Sequence, residues 1–218
     1  MLNENTTTLK LLKTARWLAI ITIIYNIAEG LISVFFGYQD ETLALFGFGV
    51  DSFVEVISGV GILHMVNRMK YSTVEQRDEF ERTALRITGS AFYLLTAGLL
   101  AGSIINLFNQ TQPETTIPGL IISAISILTM YFLMKFKLKT GWQLNSDAII
   151  ADANCTKTCL YLSVVLLLAS AGYEIFKIHY IDVAGSLGIA WFAFNEGRES
   201  FEKAKSKSLC CCGDHCSK

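Results

Sequence analysis

Charge is what this chain has least of. Charged residues fill 17% of its 218 positions and hydrophobic ones 52%, where a soluble domain carries about 25% charge. No run of basic residues is present to grip a nucleic-acid backbone, and the net charge of −1 singles out no partner. There is no phosphate-cradling glycine loop, no Ser/His/Asp arrangement, no cofactor motif and no Cys-x-x-Cys redox pair. Those absences argue against a nucleic-acid partner and against an enzyme. No small-residue cleavage site follows the first apolar run, which lies deep in the chain and is long, so it reads as a span and not as a cleaved leader.

What the chain does have is apolar sequence in long runs. Six can be marked, at 15–37, 43–65, 83–108, 117–134, 148–175 and 178–197, each of about 20 residues, enough to cross ~30 Å of hydrocarbon. Sixteen of the eighteen Lys and Arg residues fall at one set of ends: before the first run, around the second and third, after the fourth, where Lys135, Lys137 and Lys139 stand, and after the sixth. The excess of cationic residues on the cytoplasmic side places both termini there. The expectation is an all-α polytopic membrane protein: an N-terminal arm over 1–14, six transmembrane helices over 15–197, and a cytoplasmic Cys-rich tail over 198–218. Its surroundings are the lipid bilayer, and the third and fourth helices, without acids in their cores, read as scaffold.

The second run carries Asp51 and Glu55 among apolar and small residues. A carboxylate at the centre of a bilayer costs roughly 2.5–3.5 kcal/mol on insertion scales, so its presence implies a role. Residues four apart share a helix face, and neighbouring carboxylates repel unless a cation or a proton intervenes. Asp51 and Glu55 are therefore a candidate cation site; the alternative is a buried pair hydrogen-bonded to its neighbours for packing alone.

The first run holds Asn26 and Glu29 on one face, with Glu29 open to three roles: accessory ligand, proton carrier, or hydrogen-bond partner of the second helix. The fifth run carries Asp147 and Asp152 near its cytoplasmic end and Cys155 and Cys159 one turn apart. At 1.5 Å per residue, Asp51 and Glu55 lie about 12 and 18 Å from the outer edge, and Cys159 and Cys155 about 13 and 19 Å. Asp51 thus falls level with Cys159 and Glu55 with Cys155. Two carboxylates and two thiolates suit tetrahedral Zn2+, while thiolate also draws softer ions; a membrane cysteine is otherwise a small buried hydrophobe. Asp182 reads as a cap at the start of the sixth helix. In the tail, Cys210, Cys211, Cys212, His215 and Cys216 stand within seven residues, a soft-metal composition with palmitoylation or an unspecific thiol tail as alternatives.

These residues resemble the cation diffusion facilitator family, six-helix metal/proton antiporters whose transport site takes two acids from helix two and a His/Asp pair, four apart, from helix five. Asp51 and Glu55 match the helix-two acids, and Ala151-Asp152 matches the Ala-Asp before the helix-five pair, so Cys155 and Cys159 fall where that pair stands. The chain is similar, more narrowly, to a short bacterial branch with Asn-x-x-Glu-Gly in helix one (Asn26, Glu29, Gly30), a Leu-Phe-Gly-Phe-Gly-x-Asp-Ser-x-x-Glu run, and Cys-x-Tyr-Leu-Ser in helix five (Cys159, Tyr161, Leu162, Ser163). It departs from the family in having cysteines for His and Asp, and a Cys-rich tail in place of the cytoplasmic metal-binding domain through which the family partly dimerises.

The resemblance implies a secondary active exporter in a bacterial cytoplasmic membrane, passing a divalent metal, Zn2+ first, against protons. Its metal ligands would be Asp51, Glu55, Cys155 and Cys159, its relay or supporting groups Glu29, Asn26 and Asp152, and its metal-capturing segment the cysteines and His215 of the tail. A second copy of the chain is a candidate partner. Alternatives are an exporter of a soft or toxic ion such as Cd2+, Hg2+ or Cu+, and a non-transporting metal-binding or sensing membrane protein that works through the tail.

Overall fold

The computed structural model describes residues 2–40, 42–68, 74–109, 116–144, 147–178 and 180–205. They form six helices, α1 (Leu2–Gln39), α2 (Leu43–Arg68), α3 (Val74–Asn109), α4 (Ile117–Leu144), α5 (Asp147–Phe176) and α6 (Tyr180–Lys205), and among the described residues there is no strand. The tail residues Cys210, Cys211, Cys212, His215 and Cys216 lie outside the described residues.

The helices outrun the apolar runs that announce them. Residues 2–14, expected as a separate arm, continue α1 without a break, and α4 extends past Lys135, Lys137 and Lys139 to Leu144. A helix does not stop where hydropathy falls, because straight-chain Lys and Leu are good helix formers in water as well as in lipid. Among the described residues five helices are long and apolar enough to cross a membrane, and α6 falls short of that measure. Asp182, Asn195 and Glu196 and several small residues dilute its apolar stretch, yet it packs along α3 and α5 as one of the bundle.

The closest pairs are α1 with α2, α3 with α6 and α4 with α5; α2 touches α1, α3, α5 and α6, and is the most buried of the apolar helices. Small residues allow this. A Cβ on Gly37 would lie 2.4 Å from the backbone nitrogen of Phe46, and one on Gly49 would lie 2.7 Å from that of Val34, so α1 and α2 meet backbone to backbone at both points. Without a hydrophobic drive between helices in lipid, such contact and interhelical polar bonds supply the adhesion. The outward faces are apolar: Trp17, Ile24, Leu31 and Phe35 of α1 are all exposed. Trp17 and Trp142 mark the end rich in Lys and Arg and Tyr38 and Tyr180 the opposite end, as amphipathic rings do at the two membrane surfaces.

At that opposite end two helix starts are capped by carboxylates from later helices. Asp182 does not cap α6, as the sequence suggests, but α2: its carboxylate accepts from the Leu43 and Ala44 nitrogens at 3.0 and 3.3 Å. Glu174 of α5 accepts from the Thr116 nitrogen at 2.8 Å, just before α4. The first turn of a helix leaves its N–H groups without intrahelical partners, and here the neighbouring helix supplies them. α5 itself ends on Lys177, whose positive φ of 51° and bond from its nitrogen to Tyr173 O at 2.7 Å close the helix in the left-handed manner.

Leucine at Gly49 would have to separate α1 from α2. Gly49→Leu is expected to cost about 1–3 kcal/mol, as overpacking does, and to lower the thermal denaturation midpoint of the detergent-solubilised protein. Gly98→Leu, where an added Cβ meets nothing within 4 Å, serves as the control and is expected to leave the midpoint nearly unchanged.

Candidate metal site

Polar residues recur at helical spacing on the inward faces of three helices. On α1 they are Thr22, Asn26, Glu29 and Ser33; on α2, Asp51, Ser52 and Glu55; on α5, Asp152, Thr156, Cys159 and Ser163. All are buried, Asp51 at 2% exposure and Glu55 at 4%. Spacings of three and four keep the α1 and α5 sets each on one stripe, while Ser52, one residue from Asp51, turns about 100° away from it, so α2 presents polar groups on two faces.

The α2 and α5 seams meet. The Cys159 thiol donates to Asp51 Oδ2 at 3.6 Å. Glu55 Oε1 accepts from the Thr156 hydroxyl at 3.1 Å. The remaining oxygens, Asp51 Oδ1 and Glu55 Oε2, are buried and accept no hydrogen bond among the described residues. A tetrahedral Zn2+ with oxygen at about 2.0 Å and sulfur at about 2.3 Å sets its ligand atoms about 3.5 Å apart, close to the observed sulfur–oxygen separation. Among the described residues, however, no three His, Cys, Asp or Glu side chains are drawn together tightly enough to hold a metal as they stand.

Cys155 stands at the flank. At ~100° per residue it lies about 60° round from the middle of the α5 seam. It is half-buried. Glu55 therefore meets Thr156, where depth alone had set it level with Cys155. Both cysteines are free thiols.

Glu29 sits on the other side of α2. Tyr25 donates to its Oε1 at 2.8 Å and Ser52 to its Oε2 at 3.1 Å, so it does hydrogen-bond the second helix. Asn26 donates to Thr22 O at 3.0 Å and leaves its own Oδ1 buried without a partner. Ser163 links α5 to Ser126 of α4 at 2.9 Å. At the end rich in basic residues, Thr158 donates to Glu196 of α6 at 2.8 Å.

One participant escaped the sequence reading. Lys137, counted there among the cations flanking the fourth run, is 1% exposed. Its ammonium pairs with Asp152 Oδ2 at 2.8 Å and donates to Thr156 Oγ1 at 2.8 Å, the hydroxyl that faces Glu55. A signal was present: Ser123, Ser126, Met130, Leu133, Lys137 and Thr140 are among the buried positions of α4, and their alternating spacing of three and four puts Lys137 on the inward face.

The family described as the cation efflux transmembrane domain matches residues 19–207, which takes in the bundle from within α1 to the end of α6. The chain belongs to the cation diffusion facilitator family. No curated protein matches it. This cation diffusion facilitator is accordingly a multi-pass membrane transporter of metal cations, and its described polar groups gather where α2, α4 and α5 meet.

The Glu29 carboxylate accepts from the half-buried Tyr25 phenol and from the buried Ser52 hydroxyl, which also bonds Phe48 O at 3.2 Å. Glu29→Leu is expected to cost the two bonds, at about 0.5–1.5 kcal/mol each, and Glu29→Gln to keep one acceptor oxygen. Thermal denaturation of the purified protein should rank wild type above Glu29→Gln, and Glu29→Gln above Glu29→Leu.

Proposed function

We propose that this transporter exports a divalent metal ion, Zn2+ foremost, from the cytoplasm of a bacterial cell in exchange for protons. The observation that supports this reading best is the pair of buried carboxylate oxygens, Asp51 Oδ1 and Glu55 Oε2, that accept no hydrogen bond beside the Cys159 thiol. Oxygens of that kind are costly in an apolar bundle and are relieved by a cation. Asp51, Glu55 and Cys159 would bind the ion, with Cys155 joining as a fourth ligand through a small turn of α5. Asp152 and Asn26 would support them, and Glu29 would carry protons.

The exchange follows from ligand chemistry. A thiol or carboxylic acid binds metal only after losing its proton, so metal and protons compete for the same atoms. An ion arriving from the cytoplasm displaces the Cys159 proton. Rocking of the helix pairs then opens the site outward, where protons return to the ligands and release the ion. Deprotonated sulfur among the donors also favours the softer ions Cd2+, Hg2+ and Cu+, which is the second reading that a specific residue supports.

Asp51→Asn and Glu55→Gln, reconstituted in vesicles, are expected to lower zinc flux by more than ~10-fold, given that even an outer partner of a metal ligand is worth about 10–100-fold. Unchanged flux in either would reject the site. Cys159→Ser separates the two cargoes: it should spare zinc more than cadmium if sulfur sets the preference, whereas flux that stays zinc-selective and unaltered argues against a soft ion.

A further inference from the structure

Resting on that reading, we propose that Lys137 is a resident counter-cation that ties up Asp152 and keeps the metal site from holding its ion too tightly. Three carboxylates line the region where α2 meets α5: Asp51, Glu55 and Asp152. One ammonium is bound among them, 2.8 Å from Asp152 Oδ2 and 2.8 Å from Thr156 Oγ1, with both the lysine and the aspartate side chains almost fully buried, at 1% and 2% exposure. Lys137 offsets one of those charges directly, at Asp152.

Lys137 meets the two nearer carboxylates differently. Asp152 is ion-paired to Lys137 through Oδ2, and its Oδ1, like Asp51 Oδ1 and Glu55 Oε2, is buried without a hydrogen bond among the described residues. Glu55 is touched by Lys137 only through the Thr156 hydroxyl, at 3.1 Å, and keeps Oε2 free. Lysine is suited to this, as a compact charge on a flexible stem, and α4, with no acid of its own, delivers it onto Asp152 and Thr156 of α5. Removing one partner of a buried ion pair leaves the other uncompensated. The nearest cation able to relieve an orphaned Asp152 is the transported metal, and the nearest anion able to relieve an orphaned Lys137 is Glu55. The two single substitutions therefore act on metal binding with opposite sign.

The test measures Zn2+ binding to the purified full chain, counting only the share that Asp51→Ala removes, so that tail cysteines do not enter. Lys137→Gln is expected to tighten that binding by about 10-fold or more and to slow zinc release into vesicles. Asp152→Asn is expected to weaken it by about 10–100-fold, the range of an outer partner's effect. The charge-neutral double variant Lys137→Gln/Asp152→Asn should return to near the wild-type affinity, and Lys137→Arg should stay close to it. Two single variants that weaken binding alike, or a double variant as weak as Asp152→Asn, would overturn the proposal in favour of simple packing. If Lys137→Gln does not fold, the double variant against Asp152→Asn decides alone: recovery upholds the counter-charge and its absence overturns it. Binding that Asp51→Ala leaves intact would instead remove the metal site itself, and this inference with it.

Discussion

Two carboxylates one turn apart on α2, enclosed by apolar helices, impose an electrostatic demand that the rest of the bundle answers. Neither Asp51 nor Glu55 can be left ionised in hydrocarbon without donors or a cation, and neither faces lipid. What surrounds them is a set of donors from other helices: a thiol and a hydroxyl from α5, and behind the hydroxyl an ammonium from α4. The donors stop short of full satisfaction, because one oxygen on each acid remains unpaired. A bundle built only for stability would have replaced the acids with apolar residues; a metal cation transporter keeps an uncompensated place at its centre.

The glycines of the first two helices serve the same end. Gly37 and Gly49 bring α1 and α2 into backbone contact, which lets Ser52 reach Glu29 on one side while Asp51 and Glu55 turn to α5 on the other. α2 thus has polar partners on two faces and touches four helices, so any movement of α5 against α2 acts directly on the candidate ligands. At the far end from the basic residues the starts of α2 and α4 are held by carboxylates from α6 and α5. These caps couple helices that are distant in sequence.

Much of this was legible in the residues, and the misses have one cause. The one-turn spacing of Asp51 and Glu55, and the cost of acids in lipid, located the seam on α2. Depth arithmetic set Asp51 against Cys159, and the structure brings those two side chains together at 3.6 Å. The same arithmetic set Glu55 level with Cys155, whereas the neighbour it meets is Thr156, because depth along a helix axis carries no information about azimuth. Asp182 was read as a local cap for the same reason: the sequence shows which helix carries the carboxylate and not which helix start lies beside it. Lys137 was hidden by its neighbours, since a cation between Lys135 and Lys139 resembles a flanking charge until α4 is known to continue past it.

The sequence by itself determined six helical segments, the polar positions within the first, second and fifth, and which groups are candidates to bind a cation. Periodicity and transfer energy are local properties of a chain, readable one helix at a time. Only the tertiary structure decided which seams face each other, that Lys137 occupies Asp152 and steadies Thr156, and that one oxygen on each α2 acid is left over. Those facts depend on the rotation and packing of whole helices, which close glycine contacts and crossing hydrogen bonds set at once for all six.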